Sequence, residues 1–172
     1  VINHWDDHGG SEDTATVALT AGLRYPVTIE YYENDGGAVM QWFWSAPGIA
    51  RQIVPQAQLF PVLPSNTSST GITAEFWMGI EGHDISSIPL NTQPSSTQAL
   101  TLFETPSHWA DNYGTRVRGF VVPPTTGAYT FWLATDDHGE LWLSPSSQVG
   151  QATRIALVNN WTNSREWNRE SN

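Results

Sequence analysis

Seventeen acids oppose seven bases in this 172-residue chain, and the formal charge of −10 argues against a nucleic-acid partner, because an acidic surface repels phosphate backbones. No basic run exists to hold a membrane surface, and no apolar stretch approaches the roughly 20 residues of a spanning helix. Cysteine is absent, which excludes disulfides, thiolate zinc sites and cysteine nucleophiles.

Short alternating segments broken by turn residues recur along the chain, with almost no helical periodicity. Ala15-Thr-Val-Ala-Leu19 predicts a first strand, ended by Thr20-Ala-Gly22. Tyr25-Pro-Val-Thr-Ile-Glu-Tyr31 predicts a second, with Tyr25, Val27, Ile29 and Tyr31 on one face. Asn34-Asp-Gly-Gly37 is expected to form a hairpin-type turn before a strand from Ala38 to Trp44. Val62 to Thr70 is rich in Ser and Thr and is expected to be a linker. Further strands are predicted at Arg116–Val122, Tyr129–Ala134, Leu141–Leu143 and Ile155–Val158. The whole is an all-β pattern, that of an antiparallel two-sheet β-sandwich. Nine Trp are present; Trp42, Trp132 and Trp142 sit within alternating strands and are expected in the core.

Arg116-Val-Arg-Gly-Phe-Val-Val-Pro-Pro-Thr-Thr-Gly-Ala-Tyr-Thr-Phe-Trp-Leu-Ala-Thr-Asp-Asp-His-Gly-Glu-Leu-Trp-Leu143 resembles the signature of the protective-antigen domain family, a β-sandwich module. Gly71-Ile-Thr-Ala-Glu-Phe-Trp77 resembles that family's first strand. Thr20 to Tyr31, Trp42-Phe-Trp-Ser-Ala-Pro47 and Val54-Pro55 resemble its last third. The resemblance therefore covers nearly the whole chain in permuted order. It implies one composite, circularly permuted domain over residues 1–172. Residues 1–61 would be the C-terminal part of one repeat, 62–71 a linker, and 72–172 the N-terminal part of the next. A weak echo between Val1-Ile-Asn-His-Trp5 and Leu157-Val-Asn-Asn-Trp161 fits two successive repeats. Either a monomeric permutant or a domain-swapped dimer would satisfy the open edges of the two halves. The chain opens at Val1 without Met or signal peptide, and is expected to be a piece of a longer exported protein.

The resemblance implies that Asp136 and Asp137 bind calcium, as the Asp-Asp pair does in sugar-binding relatives such as yeast flocculins. Calcium takes 6–8 oxygen ligands. Adjacent strand side chains normally diverge, and a cis peptide between the two Asp would let both reach one ion. A second loop would complete the site, with the Asn34 side chain and the carbonyls of Gly36 and Ala38. Asp35 is an extra ligand or a solvated turn residue. Sugar hydroxyls would then meet calcium at Asp136 and Asp137, between walls supplied by His138, Trp161 and Trp167.

Plainer readings stand beside these. Asp-Asp-X-Gly is also an ordinary turn sequence. Arg116 and Arg118 share a face and are expected to be structural salt-bridge partners. His4, His8, His83 and His108 lack zinc-site spacing, and Asn66 and Asn160 open glycosylation sequons. The expected function is a non-catalytic, calcium-dependent carbohydrate-binding module of a secreted or cell-surface protein, with a glycan or polysaccharide as partner. The alternative is a structural or protein-interaction spacer. A glycosidase would need two carboxylates about 5–10 Å apart, and no motif singles out a pair among Glu75, Glu104 and Glu140.

Overall fold

The computed structural model describes residues 13–34, 37–62, 71–82, 84–106 and 109–159. Eleven strands lie within them. They are β1 (Asp13–Leu19), β2 (Tyr25–Glu33), β3 (Val39–Ala46), β4 (Ile49–Ile53), β5 (Leu59–Pro61), β6 (Ile72–Met78), β7 (Ser96–Leu100), β8 (Tyr113–Val121), β9 (Gly127–Asp136), β10 (Gly139–Leu143) and β11 (Thr153–Val158).

Two antiparallel sheets form a sandwich. One runs β1-β9-β3-β4; the other runs β11-β10-β2-β8-β6-β7, with β5 also on β8. Each sheet takes strands from both before residue 62 and after residue 71: β9 lies between β1 and β3, and β2 between β10 and β8. β5 and β6 follow one another along β8, where Pro61 pairs Gly119 and Thr73 pairs Arg118. The Gly71 amide donates to the Leu59 carbonyl at 2.8 Å.

The core lies between the sheets and is aromatic. Tyr25, Val27, Ile29 and Tyr31 of β2 all point inward and are buried, as their alternation requires. Facing them, Trp42, Trp44, Tyr129 and Phe131 are buried, with Trp42 stacked on Phe131 at 5.1 Å. The expectation for Trp132 and Trp142 is corrected. Phe131 and Leu133 take the inward side of β9, which turns Trp132 outward beneath Arg51 at 4.2 Å. Leu141 and Leu143 do the same on β10, and the outward Trp142 donates its Nε1 to Glu140.

A second correction concerns residues 34–37. They do not close a hairpin, because β2 and β3 lie in different sheets. The segment is a crossover at one end of the sandwich. Asp137 and His138 form another, carrying the chain from β9 to β10. The two inter-sheet crossovers lie side by side, since Val39 pairs Asp136 and Gly139 pairs Tyr31.

Candidate functional site

The Asp136–Asp137 peptide bond is cis. The crossover is held by donors from its neighbours. The Tyr31 hydroxyl is shared between the Asp136 carbonyl and Glu33 Oε2. The Thr135 hydroxyl donates to the Asp137 carbonyl at 2.6 Å, and the Tyr32 amide donates to the His138 carbonyl at 2.9 Å. With these carbonyls engaged, the side chains are what the turn presents outward.

Both carboxylates face the 34–38 crossover. The Asn34 amide donates to Asp137 Oδ2 at 2.9 Å. A methyl group added at Gly37 would stand 1.9 Å from Asp136 Oδ2, so any side chain there would displace that carboxylate from its position. Ala38 is buried, with φ of 31°, and directly precedes the Val39–Asp136 pair. Asn34 is part-buried, and its carbonyl accepts from the Asn112 amide at 2.9 Å. Asp136, Asp137, Asn34 and Ala38 are thus brought together, and His138 follows them toward β10. Gly36, Trp161 and Trp167 lie outside the described residues, as do Asp35, His4, His8, His83, His108, Asn66 and Asn160.

Two residues beneath the turn escaped the sequence reading. Glu33 is fully buried, with Oε1 lacking a hydrogen-bond partner among the described residues. Burial pushes its carboxyl up to about 7; the Tyr31 hydrogen bond opposes that shift, and the charges of Asp137, Asp136 and Asp111 add to it. Burial, then Tyr113 and Glu33, hold the Tyr31 phenol well above its usual range. The available signal was Glu33 two residues beyond Tyr31, on the inward face of a strand, where a carboxylate is rarely found unpaired.

The donors here are hard oxygens, the kind calcium takes. No three His, Cys, Asp or Glu side chains converge as a ready cation site among the described residues. Glu33 is committed to Tyr31. An ion between Asp136 and Asp137 would therefore need amide or backbone oxygens, and of the described residues Asn34, Gly37 and Ala38 lie alongside.

The carboxylates weighed for glycosidic chemistry are placed differently. Glu75 binds both Arg116 and Arg118 at 2.8 Å, as expected of structural partners. Glu140 is paired with Arg154, and Glu104 accepts from Gln41 at 2.7 Å. Glu140, Glu30, Arg116 and Glu75 are in register across four strands. Glu140 and Glu75 thus lie three strand spacings apart, about 14 Å, too far for a catalytic pair.

The PA14 domain family model matches residues 68–168, more than half of the chain. The chain belongs to the PA14 domain family. Its Asp-Asp crossover falls inside the match, and β1 to β5 fall before it. Among curated relatives of this PA14 chain, the anti-sigma-I factor RsgI3 of Acetivibrio thermocellus is 29% identical over 87 residues, 49% of this chain and 13% of the relative. The N-acetyl-beta-glucosaminyl-glycoprotein 4-beta-N-acetylgalactosaminyltransferase 1 of Mus musculus is 30% identical over 102 residues, 56% of this chain and 10% of the relative. The chain spans about a tenth of the length of these relatives. No solved structure matches it.

Proposed function

We propose that this PA14 domain is a non-catalytic, calcium-dependent carbohydrate-binding module of a secreted or cell-surface protein. The observation that carries the reading is the convergence of the Asp136 and Asp137 carboxylates on the 34–38 crossover, against a glycine that leaves room for one of them. Asp136, Asp137 and Asn34 would hold the ion by their side chains, and Gly36 and Ala38 by their carbonyls. Bound calcium supplies coordination positions that vicinal sugar hydroxyls can fill. Tyr31 and Thr135 fix the turn's carbonyls, which orients both carboxylates before any ion arrives. His138, Trp161 and Trp167 would flank the sugar. We read the chain as a permuted assembly of two repeat parts, because both halves of this site then belong to one sandwich.

Calcium titration by calorimetry tests the metal: heat is expected in wild type and none in Asp137→Ala. Absence of heat in the wild type ends the proposal. A glycan array in calcium and in chelator tests the sugar, with chelator expected to abolish binding. Calcium uptake with no glycan bound would favour the spacer role. Light scattering separates a monomeric permutant from a swapped dimer.

A further inference from the structure

The outer face of the seven-stranded sheet is partly roofed by residues 80–82 and 84–90. This roof packs its own small core: Ile80 and Ile88 against Tyr32 and Trp77, with Ile85 and Leu90 beside them. It is tied down by the Tyr32 hydroxyl, which donates to the Gly82 carbonyl, and by the Ile80 amide, which donates to Asn112. A methyl at Gly114 would stand 2.5 Å from Ile88, so the roof sits directly on the strand backbone.

Between this roof and the β10–β11 edge runs an open cleft of about 460 Å³. Asp84 and Ile85 line one side, Arg154 and Leu157 the other, and His138 and Glu140 are also in its wall. The volume falls in the range of small-molecule sites, about 300–1,000 Å³. His138, in the cleft wall, directly follows Asp137 in the chain.

The lining has the chemistry of a polyol site. Asp84 Oδ1 caps the 3-10 turn at Ile85–Ser87 by accepting from the Ser86 amide at 2.7 Å. The Ser86 hydroxyl donates to the same oxygen, and that bond, first among the causes, holds the Asp84 carboxyl below the usual range. Glu140 is fixed between Arg154 and the Trp142 indole, which keeps the guanidinium at the cleft wall. Carboxylates to accept hydroxyl protons and a guanidinium to donate thus alternate with apolar Ile85 and Leu157, against which a sugar's C–H face can lie. Two carboxylates in the wall and the chain's charge of −10 disfavour an anionic ligand.

We propose that this cleft is a second sugar subsite, which takes the next neutral pyranose of a glycan whose first unit sits at the Asp136–Asp137 site. The assignment rests on the calcium-dependent reading and makes the domain a reader of oligosaccharides rather than of single sugars.

The test is calorimetry in calcium with neutral hexoses and xylose, and with their di- to tetrasaccharides. Wild type is expected to bind the matching disaccharide roughly ten-fold more tightly than the monosaccharide, about what one hydrogen bond to a charged group provides. Arg154→Ala and Asp84→Asn are expected to remove that advantage and leave monosaccharide and calcium affinity unchanged. Asn retains the helix-capping oxygen, so Asp84→Asn guards against misfolding of the roof. Equal mono- and disaccharide affinity in wild type, or an advantage that survives both variants, overturns the subsite alone. No sugar bound by wild type in calcium overturns the carbohydrate-binding reading and the subsite with it, whatever the calcium titration shows.

Discussion

Two acidic regions of the molecule are built on opposite principles. On the outer face of the seven-stranded sheet, most acids meet an arginine; the exception is Glu30, raised by burial and then by the charge of Glu140 directly across from it. Glu140 meets Arg154, and Glu75 meets Arg116 and Arg118. At the crossover end, the charges acting on Glu33 are those of Asp137, Asp136 and Asp111, all of its own sign. Acids compensated by arginine stabilise the fold and ask for nothing further. There the charges of Asp137, Asp136 and Asp111 add to the burial that raises the Glu33 carboxyl, and a divalent cation would relieve that repulsion.

The largest expected effect comes from removing an acid at the crossover. Asp136→Ala and Asp137→Ala should each lower calcium affinity by more than about 100-fold in calorimetry, beyond the loss that outer-shell changes cause. The calcium-induced rise in melting temperature should vanish with it. Gly37→Ala should act at the same place without touching an acid. Its methyl would stand 1.9 Å from Asp136 Oδ2, and a loss of roughly 10–100-fold is expected. Wild-type affinity in Gly37→Ala would mean that the Asp136 carboxylate does not serve the ion from this position.

Tyr31→Phe should weaken calcium binding by about ten-fold. It should also cost about 1–3 kcal/mol in chemical denaturation without calcium, because a buried carboxyl and a carbonyl lose their shared donor. A change in stability with calcium affinity intact would assign Tyr31 to the core alone.

The smallest effect belongs to the compensated face. Glu75→Gln should cost about 1 kcal/mol, since Arg118 remains 43% exposed and solvent screens the pair. Calcium affinity should be unaffected. Burial alone would raise the Glu75 carboxyl, but the hydrogen bonds and charges of Arg116 and Arg118 outweigh it and hold the group low. A lowered folded value means the contribution is present above the unfolded value of 4.5 and is lost as pH falls toward the folded one. Urea denaturation between neutral pH and pH 3 should therefore converge for wild type and Glu75→Gln at the acid end.

Much of the sandwich was legible in single strands. Val27 to Tyr31 alternates because only one face of that stretch meets the core. The alternation ends at Tyr32, which is also buried, because the roof of residues 80–82 and 84–90 covers the outer face there. No local pattern announces a roof supplied from about fifty residues away. The Trp residues misled for a related reason. Hydrophobicity alone places them inward, whereas Trp132 and Trp142 occupy outward positions and cover their faces together with Arg51 and Glu140. At the site, Asp136 and Asp137 stood out through the family motif, and Asn34 through its loop. The role of Gly37 was not readable from the sequence, since it rests on the approach of the Asp136 carboxylate from a distant strand. Asn34-Asp-Gly-Gly37 looked like a hairpin because turn residues record chain reversal and not which sheet the next strand joins.

The meeting of β5 and β6 along β8 has a further consequence. The two strands follow one another against a single neighbour, with Leu59 bonded to Gly71. The covalent path between residues 62 and 71 therefore joins points that the sheet already holds together. Cut there, the chain becomes two fragments, each carrying half of the candidate calcium site. Their reassembly would be a two-component sensor, reporting in one event whether the partner fragment and the ion are both present.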